Sequence, residues 1–180
     1  MKILKKILIA VVIIAALPFI AALFIKREYT VERNITINRH NNEVFNYIKI
    51  LKNQDQYNKW VMVDPNMKKE LRGTDGTVGF VYAWNGNDQA GQGEQMIKSI
   101  EEGKRLDTEL HFIKPFEGRA TTFVITEPLT ENQTSVRWSM SGKSNYPMNF
   151  MNLFMEGLLG KDMDKSLITL KSNLEQQRIN

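Results

Sequence analysis

Apolar positions fall into three successive patterns along the chain. Residues 7–25 carry no charged or hydrogen-bonding side chain, with Lys2, Lys5 and Lys6 before them and Lys26 and Arg27 after. As a helix, such a run reaches roughly 28 Å, close to the ~30 Å hydrocarbon thickness of a bilayer. Pro18 does not oppose this, because neighbouring groups in membrane helices absorb the lost hydrogen bond. A cleaved secretory signal would show a shorter run followed by small residues three and one before the cut. Ala15-Ala16-Leu17 and Ile20-Ala21-Ala22 each place a large residue at one of those positions, and Leu23-Phe24-Ile25 prolong the run. Residues 1–27 are therefore read as an uncleaved single-pass anchor with basic flanks. Three lysines and the terminal amine before the span, against Lys26, Arg27 and Arg33 after it, tip the positive-inside bias toward a cytoplasmic amino terminus. Residues 28–180 then lie on the outer, periplasmic or extracytoplasmic side.

From Tyr29 the pattern becomes alternation. Val31, Ile35 and Ile37 oppose Thr30, Glu32, Asn34 and Thr36, as a half-buried strand requires. Asn41 or Asn42 can cap a short helix with Val44, Phe45, Ile48 and Leu51 at helical spacing, and a second helical turn carries Tyr57 and Trp60. Six strands are then predicted at 68–72, 78–84, 91–100, 105–113, 119–127 and 135–141, separated by short turn-forming links. Links this short demand antiparallel hairpins, since parallel strands need helical crossovers. Large side chains share a parity in Phe80, Tyr82 and Trp84, in Leu106, Leu110 and Phe112, in Phe123 with Ile125, and in Val136, Trp138 and Met140. The third pattern is helical. It opens at Tyr146-Pro147 and carries Phe150, Leu153, Phe154, Leu158, Met163, Leu167, Leu170 and Leu174 near one face, with a bend expected at Gly160. That helix and the meander each need the other to cover an apolar face. A closed lipocalin-like barrel is the rival, opposed by the two helices after the first strand and the long one at the end.

The charge reinforces this division. The formal net charge is +4, but five of the 24 cations lie in the first 27 residues, where there is no acid. From Glu28 onward, 19 basic side chains face 20 acidic ones. The folded body lacks the clustered cations that phosphate-backbone binding needs, so no nucleic-acid partner is expected. The absence of cysteine excludes disulfides, thiolate metal sites and thiol nucleophiles. No HExxH, glycine-rich phosphate loop or serine elbow occurs, and neither a metal nor a cofactor is expected. Of the two histidines, His40 reads as a turn residue. His111 shares the outward parity of Asp107 and Glu109.

The order of elements, with particular residues, resembles the START-like helix-grip superfamily (SRPBCC) and within it the polyketide cyclase/dehydrase-like branch. The residues are Val31-Glu32-Arg33-Asn34-Ile35-Thr36-Ile37, Val44-Phe45, Tyr47-Ile48, Trp60, Asp64-Pro65, Gly91-Gln92-Gly93-Glu94, Phe112-Ile113-Lys114-Pro115, Thr134-Ser135-Val136-Arg137-Trp138, and Leu159-Gly160-Lys161-Asp162 running on to Leu170-Lys171. Where many relatives have alanine-proline before the first helix, this chain has His40-Asn41. The resemblance implies an α+β fold, an antiparallel sheet of about seven strands wrapped around a long carboxy-terminal helix, here preceded by one transmembrane helix. It also implies a cavity between sheet and helix for a hydrophobic small molecule or lipid.

Candidate ligand-binding residues are Phe80, Tyr82, Trp84, Met96, Leu110, Phe112, Phe123, Trp138, Met140, Phe150 and Phe154, since pockets for apolar ligands have mostly hydrophobic walls. Each taken singly is equally an ordinary core residue. Glu94 joins them because it shares parity with Met96, and a buried carboxylate could orient a polar head group. The expected function is non-catalytic binding or transport at a membrane. The alternatives are a cyclase or dehydratase using Glu94, Tyr82 or an arginine, and a membrane-tethered protein-interaction module.

Overall fold

The computed structural model describes residues 2–176. Helix α1 (Lys2–Ala22) leads into strand β1 (Glu28–Ile37), helix α2 (Asn41–Lys49), a 3₁₀ turn (Leu51–Gln56) and the short helix α3 (Lys59–Met62). Six further strands follow: β2 (Lys68–Arg72), β3 (Val81–Asn85), β4 (Gln92–Glu101), β5 (Arg105–Lys114), β6 (Gly118–Thr130) and β7 (Gln133–Lys143). A second 3₁₀ turn (Met148–Met151) precedes helix α4 (Asn152–Gln176). The strands form one antiparallel sheet in the order β1-β7-β6-β5-β4-β3-β2. The first and last strands are neighbours because Val31 opposes Met140 and Ile35 opposes Val136.

Helix α2 starts where His40 Nδ1 accepts from the Asn42 amide, so the cap falls one residue before the two asparagines. The apolar residues of α2 meet the sheet and α4 in one core that includes Val44, Phe45, Ile48, Val136, Leu167 and Leu170. The outer face of the sheet is charged and ion-paired instead. Asp107 meets Arg105, Glu109 meets Arg119, and Arg137 lies within 4.0 Å of both Glu32 and Glu127. His111 is also on this side, between Glu94 and Glu117.

Helix α4 departs from expectation in three ways. It begins at Asn152, after a 3₁₀ turn, and not at Pro147. It also runs unbroken through Gly160, whose missing side chain leaves room for the Arg33 guanidinium to lie against the helix backbone while it pairs with Glu156 and Asp164. In an unbroken helix the five-residue step from Leu158 to Met163 turns the face by about 140°. The stripe that packs inward is therefore Met155, Leu159, Met163, Leu167, Leu170 and Leu174, while Leu153, Phe154 and Leu158 stay exposed.

The register gives the sheet two distinct ends. The starts of β1, β2, β4 and β6 and the finishes of β3, β5 and β7 lie together at one end. Helix α4 runs alongside β1 in the same direction, since Arg33 meets Asp164, Lys171 Nζ donates to the Thr36 carbonyl and Glu175 accepts from the Asn38 amide. The exit of α1, the start of α4 and the links 86–91 and 115–117 accordingly share the first end.

Candidate functional site

A cavity of about 260 Å³ opens at that end, between the sheet and α4. Its walls are aromatic. Trp60 of α3 meets Trp138 of β7 edge-on with ring centres 5.7 Å apart, and Trp84 of β3 meets Phe112 of β5 in the same manner at 6.2 Å. Tyr82, Leu110, Met140, Met67, Val61 and Leu159 complete the apolar lining. Gln89, Lys114 and Pro115, all exposed, form the rim. Two glycines shape it. Gly91 has a positive φ of 67°, and a side chain there would sit 2.4 Å from the Lys114 carbonyl oxygen, so glycine lets the two rim links close on each other. Gly93 lets the Trp84 ring lie directly on the β4 backbone, where a Cβ would come within 2.6 Å of it.

The floor is polar and arranged as a relay. Asn58 Nδ2 donates to Gln54 Oε1 (2.8 Å), Gln54 Nε2 donates to Gln95 Oε1 (3.0 Å), and Gln95 Nε2 donates to Thr108 Oγ1 (2.9 Å). Beside it, Trp138 Nε1 donates to Thr122 Oγ1 (2.9 Å). Gln54, Gln95, Thr122 and Trp138 also border a deeper void of about 30 Å³, enough for a water molecule. No ionised side chain contributes to this floor. The Tyr82 ring lines the wall, but its hydroxyl donates to Asp55, which is paired with Lys69 at 3.0 Å. Burial first, then the hydrogen bond and charge of Asp55, push this hydroxyl far above the usual phenol range.

Of the expected ligand-binding residues, Tyr82, Trp84, Leu110, Phe112, Trp138 and Met140 line the cavity. The other six do not. Phe80 is buried in the core, where its backbone pairs with Ile97 just before β3 begins. Glu94 and Met96 point to the outer face, Glu94 bonding Arg72, because the inward parity of β4 belongs to Gly93, Gln95 and Ile97. Phe123 is also outward, beneath the Arg105 guanidinium at 4.3 Å, since Thr122 and Thr126 take the inward positions and satisfy their hydroxyls there. Phe150 and Phe154 stack edge-on at 5.6 Å beside the exit of α1 and away from the cavity. Sequence reasoning missed Trp60, Gln54, Asn58 and Gln95. For Gln95 a signal existed, since Ile97 is the apolar residue of β4 whose parity continues inward.

No family model matches the chain, and no curated protein does either. Solved structures do match. Norcoclaurine synthase from Thalictrum flavum, in complex with dopamine and hydroxybenzaldehyde, superimposes with a TM-score of 0.66 at 7% identity, covering 85% of this chain and 90% of its own. Ara h 8.0201 matches at 0.53 and 13% identity, over 79% and 98% of the two chains. XoxI from Bacillus cereus matches at 0.60 and 12% identity, over 84% and 99%. The chain has the START-like helix-grip fold. At these identities the likeness extends to the fold alone, so what the helix-grip cavity holds here is argued from its own side chains.

Proposed function

We propose that the chain is a membrane-anchored helix-grip domain that binds or transports a hydrophobic small molecule or lipid without chemically altering it. The observation that carries this reading is the aromatic cavity with a neutral hydrogen-bonding floor, open at the end of the sheet where α1 attaches. Apolar walls with few polar groups are what such ligands require. The volume, about 260 Å³, falls just under the common ~300–1,000 Å³ of ligand pockets, which favours one acyl chain or a compact ring system over an entire two-chain phospholipid. An amide and hydroxyl floor suits an uncharged hydroxyl or carbonyl at the buried end of the ligand, because an ionised group would lose hydration with no counter-charge to meet it. Helix α1 is long and apolar enough to cross a membrane, with mean hydropathy 2.5 over 20 residues, and as an anchor it would hold the cavity where such molecules concentrate. The lysines before the span favour the outer side for the domain.

A catalytic alternative would need a reactive group facing the ligand. Glu94 lies outside the cavity and the Tyr82 hydroxyl is committed to Asp55, so neither supports it. The test is to purify the full chain in mild detergent and identify co-purifying molecules by native mass spectrometry. Single-chain lipids and sterols are then titrated against the fluorescence of Trp60 and Trp138. A one-to-one apolar ligand that changes the tryptophan signal is expected; no co-purifying molecule and no titration with either class would refute the proposal.

A further inference from the structure

Several of the domain's exposed apolar side chains gather toward one end. Among the described residues, Phe116, Tyr146, Met148, Leu153, Phe154 and Leu158 are between 44% and 75% exposed and lie toward the end of the sheet where α1 leaves and the cavity opens, whereas Leu71, Val78, Leu129 and Ile168 are exposed elsewhere. A face this apolar and this exposed marks an interaction site on a soluble protein. Its position relative to α1 is held by a specific device. The last carbonyls of a helix have no intrahelical partner. Here Asn149, itself 1% exposed, donates from Nδ2 to the carbonyls of Ala22 (2.6 Å) and Ile25 (2.8 Å). Asn152 Nδ2 does the same for Lys26 and Arg27, both at 2.9 Å, and the Ser144 amide also bonds the Arg27 carbonyl.

This clamp leaves no free tether between span and domain. The apolar run that begins in α1 ends at Ile25, three residues past the helix and held by the clamp itself, so with residues 7–25 acting as the anchor the bilayer boundary would pass beside Asn149 and Asn152. Met148 and Leu153 are their immediate chain neighbours and lie at the same level. Phe116 carries the face across to the cavity, for it follows the rim residues Lys114 and Pro115 directly. Both signs of charge occur at this end, Lys26, Arg27, Lys68, Lys114, Arg119 and Lys143 with Glu28, Asp88 and Glu117, so the contact would combine apolar burial with a modest excess of cations.

We infer that this end of the domain is a bilayer-docking surface: the first turns of α4 and the tip of the β5–β6 link sit in the lipid interface, and the cavity mouth faces the membrane directly. The inference rests on the anchored reading above and deepens it by giving the ligand a route that avoids bulk water. The absence of cysteine allows single labels to be introduced cleanly. The full-length variants Phe116→Cys, Leu153→Cys and, at the opposite end of the sheet, Leu129→Cys are labelled with an environment-sensitive fluorophore and reconstituted into phosphatidylcholine vesicles containing a quencher-bearing lipid. Quenching at 116 and 153 several-fold stronger than at 129 is the expected result. Three equal signals would overturn the inference and leave the face to a protein partner. Quenching at 153 with 116 at the level of 129 would also overturn it, because the mouth would then face water. Failure of the ligand reading is distinguishable: strong quenching at 116 and 153 in a protein that carries no small molecule supports the docking surface and removes the cargo.

Discussion

The polar floor of the cavity supports a quantitative double-mutant cycle. Thr108→Val keeps the shape of the side chain and removes the acceptor for Gln95 Nε2, while Gln95→Leu removes the acceptor for Gln54 Nε2 and the donor to Thr108. Gln54, Asn58 and Thr108 are each less than 8% exposed, so the groups left behind reach bulk water poorly. An unsatisfied buried group costs about 1–3 kcal/mol, and a net hydrogen bond contributes about 0.5–1.5 kcal/mol. Thr108→Val should cost about 1 kcal/mol, at the low end, since the adjoining void of about 30 Å³ can admit a water to the freed amide. Gln95→Leu orphans two partners and should cost about 2–3 kcal/mol. In the double variant the Thr108 hydroxyl no longer exists to be orphaned, so its cost should fall short of the sum by about 1 kcal/mol. Denaturant unfolding of the full chain in detergent micelles, followed by tryptophan fluorescence, supplies the three values. Additivity within about 0.3–0.5 kcal/mol would refute the relay as a connected network.

Leu159→Trp should fill the cavity from the α4 side at little cost to stability, because Leu159 borders existing space. Displacement of the co-purifying ligand with an unchanged unfolding midpoint is the outcome to look for. Asn149→Ala should free the Ala22 and Ile25 carbonyls and loosen the junction by about 1–3 kcal/mol, read as faster proteolysis within 23–27 while the domain itself resists. The Tyr82 hydroxyl has a folded-state pKa raised above its ordinary value near 10, chiefly by burial and then by Asp55. Its contribution is therefore fully present below pH ~10 and is lost as the pH rises beyond it. Unfolding at alkaline pH should accordingly be less steep in Tyr82→Phe, measured as the unfolding midpoint against pH in both proteins.

Much of the architecture follows from local periodicity. The 19-residue apolar run, the alternation in β1 and the hairpin spacing of the meander are short-range properties, and they dictate an apolar span, seven antiparallel strands and a closing helix before any long-range contact is known. Half of the expected pocket was likewise legible, because in β3, β5 and β7 the larger apolar side chains do share the inward parity. Where parity was assigned by side-chain size, it failed in β4 and β6. Gly93 and Gln95 face inward because a tryptophan ring needs the space over Gly93 and Gln54 needs a partner at Gln95, while Thr122 faces inward because Trp138 needs an acceptor. Those requirements come from residues tens of positions away in the chain. The same holds for α4, whose inward stripe depended on whether Gly160 would bend the helix; it does not, and the space its missing side chain leaves is taken by Arg33 of β1. The sequence alone determined which elements form and in what order, since these depend on interactions over a few residues. The tertiary structure alone decided which side chains face the cavity, that its floor is a neutral relay and that its mouth opens at the end of the sheet where the apolar helix α1 attaches, because each of these depends on satisfying a buried group with a partner distant in sequence.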